Sequence, residues 1–87
     1  MTGRYEESVL PLKKAIQLVP DDIGAHINLT ITYIMMAREK EAGAEAAEVL
    51  RINPKFTVDS WAKTIASYKD QSQTDIMVNA LRKAGLK

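Results

Sequence analysis

Apolar positions recur at three- and four-residue steps along most of this chain, and proline or glycine closes each run. Tyr5, Val9, Leu12, Ala15, Ile16 and Val19 share one face, whereas Glu6, Glu7, Lys13, Lys14 and Gln17 fall elsewhere, which predicts a first helix. Pro11 lies early in it and has no N–H to bond the Glu7 carbonyl, so a small bend or a late start is expected. Pro20 ends that helix. Asp21-Asp22 then offers an N-cap and places carboxylates at the positive end of a second helix, expected over 23–37. Ala25, Leu29, Thr32 and Met36 form one stripe of this helix, and Ile27, Ile31, Ile34 and Met35 form another. Two apolar faces predict the helix at the centre of the domain.

Arg38-Glu39-Lys40-Glu41 reads as a short polar turn. After it, Ala42, Ala46, Val49, Leu50 and Ile52 resume a helical pattern built largely of small residues, which Asn53-Pro54 ends. Thr57 or Asp59 caps a fourth helix carrying Val58, Trp61, Ala62 and Ile65. The pattern breaks at Tyr68-Lys69-Asp70-Gln71-Ser72, and Ser72 or Thr74 opens a fifth helix with Ile76, Met77, Ala80 and Leu81 turned inward. Gly85 stands where a helix end wants a left-handed residue, with Leu86 folding back onto Leu81 or the stem of Arg82.

With 46% hydrophobic and 26% charged residues, the chain has the composition of a folded domain rather than a disordered one. Its 87 residues make at most one domain, and a chain of this size buries about 60–70% of its unfolded surface, so the core is thin. Twelve basic residues against eleven acidic ones leave a net charge of +1. No global field then draws the chain to nucleic acid or anionic lipid, and neither partner is expected. Without cysteine there is no disulfide framework and no thiolate metal site. Charge, Gly or Pro interrupts every apolar stretch short of a bilayer's thickness, and the first residues do not resemble a signal peptide. The expectation is a cytoplasmic protein. A helix that begins almost at the first residue is also expected of a piece of a longer polypeptide.

The two prolines that follow apolar runs are separated by 54 − 20 = 34 residues, about the period of a helical hairpin of the tetratricopeptide type. Gly3-Arg4-Tyr5-Glu6-Glu7-Ser8, followed by Leu12, Ala15, Leu18 and Pro20, resembles the second half of such a repeat. Residues 23–56 resemble a whole one, with Leu29, Tyr33, Ala42 and Pro54 at the family's Leu, Tyr, Ala and Pro positions. His26 stands at the family's Trp, Thr30 and Ala37 at its two glycines, and Val49 at its second small residue. Residues 57–87 resemble the tail that follows tetratricopeptide arrays in some bacterial signalling proteins, including certain class III nucleotide cyclases. The resemblance implies an all-α, right-handed array of about five antiparallel helices: a half repeat over 3–20, a full repeat over 23–56 and capping helices over 57–87. It also implies a preceding helix for Tyr5, Val9, Leu12 and Ile16, whose absence leaves an apolar stripe suited to a homodimer.

Little in the chain suggests catalysis. His26 has no second histidine or glutamate at metal-ligand or acid-base spacing, which favours a packing or surface role. Asp21-Asp22 reads as a cap rather than a cation site. Gly24, Gly43 and Gly85 stand singly, so no phosphate loop forms, and no cofactor is expected. Trp61 and Tyr68 suit either a partner interface or a cap core. The pairs Lys13-Lys14 and Arg82-Lys83 read as solvated faces.

In the family, the first helix of each hairpin lines a concave groove that holds peptides or partner helices. The resemblance therefore places Ile27, Asn28, Ile31, Ile34 and Met35 at an apolar groove for a protein or peptide partner, which includes another domain of the same polypeptide. Asn28 matches the asparagine of carboxylate-clamp members, but Val58 and Ala62 occupy the sites of the cations that complete the clamp. The expected function is a non-catalytic interaction or scaffold module. The alternatives are a purely structural end cap and, with less support, a helical nucleic-acid-binding domain.

Overall fold

The computed structural model describes residues 3–65 and 71–87, the side chains of residues 3–6, 71 and 73 excepted. They form five helices, with no strand among the described residues: α1 Gly3–Leu18, α2 Ile23–Met35, α3 Glu39–Ile52, α4 Val58–Ile65 and α5 Gln71–Lys83. The chain is all-α.

Local chemistry sets most of the helix ends. The Asp22 carboxylate accepts the N–H of Ala25 at 3.3 Å, satisfying a donor that the first turn of α2 leaves free. Thr57, not Asp59, caps α4, its hydroxyl accepting the Ser60 N–H at 3.2 Å. Asp59 instead pairs with Arg82 at 2.8 Å. α1 does not start late at Pro11 but runs through it, held by the packing of Val9, Leu12 and Ile16 on the core.

Two helices end in the same motif. In α5, Leu86 N–H donates to Leu81 O at 3.1 Å and Gly85 N–H to Arg82 O at 3.0 Å, with Gly85 at φ +106°. In α2, Arg38 N–H donates to Tyr33 O at 2.8 Å and Ala37 N–H to Ile34 O at 3.0 Å, with Ala37 at φ +61°. Both are Schellman closures, and the second forces a left-handed backbone on a residue with a Cβ. α2 thereby stops at Met35, short of the expected Ala37.

The packing partners fix the direction of each helix. Ile27, early in α2, shares a cluster with Ala46 and Val49, late in α3. Tyr33 and Ile34, late in α2, meet Ala42, early in α3. That pairing makes an antiparallel hairpin, and the small side chains of α3 let the two helices approach closely. α1 packs on α2 through Val9, Leu12 and Ile16. α5 packs on both α4 and α2, placing Ala80 and Leu81 in the core. α2 thus touches α1, α3 and α5, the central place that its two apolar stripes predict. A Cα radius of gyration of 12.1 Å matches the value of about 12 Å for one compact domain of this length.

Two expectations about faces need correction. Val9, Leu12 and Ile16 are not an uncovered stripe: they are half-buried against α2, because the aliphatic face of α1 finds its cover within the chain. Tyr5 belongs to α1, but its side chain lies outside the described ones. Among the described side chains of α1, the large aliphatic ones left to solvent are Leu10, 74% exposed, and Leu18, 77% exposed. Ile76 is half-exposed rather than inward, since α5 rests on Ala80 and Leu81 and carries Ile76 to the edge of the contact.

Candidate functional site

The residues expected to line one continuous groove are divided by the packing of α5 across α2. Ile27 and Ile34 are buried core, because Leu81 and Ala80 of α5 share their clusters. Ile31 is half-buried and touches both clusters, which makes it a junction between them. Asn28 and Met35 remain exposed.

Among the described residues, three open concavities stand out. The largest, about 590 Å³, brings Asn28, Ile31 and Thr32 of α2 together with Glu7, Pro11 and Leu12 of α1 and Met77 of α5. The second, about 260 Å³, joins Ile34 and Met35 to Ile76 and Lys83. The third, about 230 Å³, lies where the start of α2 meets the α3–α4 loop and α4, and includes Ile27, Phe56 and Trp61. Trp61 and Phe56 are half-buried and packed against the core cluster, so Trp61 both packs on the core and lines the concavity. Tyr68 lies outside the described residues.

The wall that α1 adds to the largest concavity is absent from the sequence reading. Glu7, Pro11 and Leu12 are spaced at i, i+4 and i+5, which marks the border between the polar and apolar faces of α1. Borders of this kind line grooves between packed helices. Nothing in the linear pattern says which neighbour the border faces.

His26 holds the α1–α2 connection to α3. It is almost fully buried, with Nδ1 2.6 Å from Glu45 Oε1 and Nε2 2.9 Å from the Pro20 carbonyl oxygen. Both partners accept, and only the imidazolium donates from both nitrogens. Burial alone lowers the pKa of the ring. The Glu45 hydrogen bond, the Pro20 carbonyl and the charges of Glu45 and Glu48 together outweigh it, so the pKa stands above its ordinary value of 6.5. Thr30 and Thr32 return their hydroxyls to the carbonyls of His26 and Asn28 at 2.8 Å, which removes them as free donors inside α2.

Among the described residues, no three His, Asp or Glu side chains gather in a metal-binding group, and no helix is long and apolar enough to cross a membrane. No protein-family model, curated protein or solved structure matches the chain.

Proposed function

We propose that this chain is a non-catalytic, cytoplasmic protein-interaction module of tetratricopeptide-like hairpins, part of a larger protein, and that it takes a peptide or short helix in the concavity between α1 and α2. The observation that carries this reading is the 590 Å³ opening itself. Its size falls within the range of about 300–1,000 Å³ typical of ligand sites. Its lining alternates apolar Pro11, Leu12, Ile31 and Met77 with polar Glu7 and Asn28, the mixture that gives a bound segment both contact area and orientation. The antiparallel hairpin and the left-handed turn at Ala37, a position where the family has glycine, support the repeat reading.

The test uses Asn28, because it is exposed and its replacement spares the core; Ile31 joins two clusters, and replacing it mixes unfolding with lost binding. Peptides selected from a random library on the wild-type chain are expected to bind Asn28→Trp at least about tenfold more weakly, since the indole fills the opening. A library that yields no binder, or binders indifferent to Asn28→Trp, rejects the reading and leaves a structural end cap.

A further inference from the structure

We infer that the concavity between the start of α2 and α4 is a second site, and that it binds a carboxylate carrying one branched apolar group. Ile23, Ile27, Phe56 and Trp61 supply its apolar surface, and among the described residues Lys55 is the single charged side chain on its lining. Lys55 is exposed and in no ion pair among the described residues. The carboxylate of Asp59, four residues further along, pairs with Arg82 at 2.8 Å rather than with that ammonium. Three of the N–H groups that open α4 are also taken: Val58 N–H donates to Lys87 O at 2.8 Å, Ser60 N–H to the Thr57 hydroxyl at 3.2 Å and Trp61 N–H to Thr57 O at 3.1 Å. Among the described residues the lysine is therefore the one cation of the lining that no carboxylate engages, and an anion is its complement.

Size narrows the ligand further. A volume of about 230 Å³ lies below the roughly 300 Å³ at which sites for drug-sized ligands begin. It suits one aliphatic group of leucine's size, with the carboxylate left at the rim beside Lys55. Two sources share this chemistry: a free short branched-chain acid, and the C-terminal residue of a peptide. This site is separate from the α1–α2 opening, and Asn28→Trp leaves it unchanged.

Trp61 is the only tryptophan in the chain, so its emission reports on the site directly. Titration of the 87-residue protein with 4-methylpentanoate at constant ionic strength is expected to shift Trp61 emission saturably, with a dissociation constant of roughly a millimolar for so small a ligand. The neutral isostere 4-methylpentanamide is expected to bind about tenfold more weakly, because it forfeits the charge-assisted bond to Lys55. Lys55→Gln, a surface change, is expected to bind acid and amide equally. N-acetyl-leucine distinguishes the sources: tighter binding than the plain acid assigns the site to a peptide terminus, and equal or weaker binding assigns it to a free acid. No saturable response, equal binding of acid and amide to the wild type, or an acid preference that survives Lys55→Gln would each overturn the inference.

Discussion

Nδ1 of His26 and Oε1 of Glu45, 19 residues apart in the chain, lie 2.6 Å from each other and join α2 to α3 beneath the turn at Pro20. Because the folded-state pKa of His26 is raised, its contribution to stability is fully present below the unfolded value of 6.5. That contribution is lost as the pH rises through the raised folded value. The pair is a proton-dependent clasp between the two helices of the central hairpin.

Urea unfolding at closely spaced pH values is expected to show stability falling from about pH 6.5 upward. Glu45→Gln removes the carboxylate that favours the imidazolium and is expected to flatten that slope. A wild-type slope that survives Glu45→Gln unchanged would place the titration elsewhere.

Ala37 adopts φ +61° where a glycine has no steric penalty, and Gly85 adopts φ +106° with nothing within 4 Å of an added Cβ. Ala37→Gly is therefore expected to stabilise the fold by about 1 kcal/mol, and Gly85→Ala to destabilise it by about the same amount through the backbone alone. Denaturant midpoints moving in opposite directions at unchanged slope would bear this out.

Leu86 is 3% exposed and belongs to the cluster of Ile27, Val49, Val58 and Leu81. Truncating it to alanine is expected to cost about 2–5 kcal/mol. That is a large share of the stability of a small domain. Circular dichroism melts of Leu86→Ala are expected to show a transition displaced to much lower temperature or none at all, although the residue lies outside every helix.

The two faces of α1 differ in the same way. Leu12→Ala removes a half-buried contact with the core and is expected to cost about 1–2 kcal/mol, whereas Leu18→Ala, at a residue 77% exposed, is expected to stay within about 0.5 kcal/mol of the parent. Equal effects would contradict the orientation of α1.

The periodicity and the turn residues by themselves determined the number of helices and most of their ends. Asp22, Thr57, Pro20, Pro54 and Gly85 act on their own neighbours within a turn of backbone, so their effect is visible in the linear chain. The two stripes of α2 likewise gave its central place, since a helix apolar on two sides must be covered twice. Tertiary structure alone decided which apolar residues became core and which became surface. Ile27, Ile31, Ile34 and Met35 share one stripe and one chemistry, yet α5 buries Ile27 and Ile34, wedges Ile31 between two clusters and leaves Met35 exposed. The ring of His26 met Glu45 and Pro20 only because the hairpin closed around it. Burial of Ile27 and Ile34 depends on Leu81 and Ala80 of α5, more than 40 residues further along the chain, and a pattern of short period carries no record of where such a distant element comes to rest.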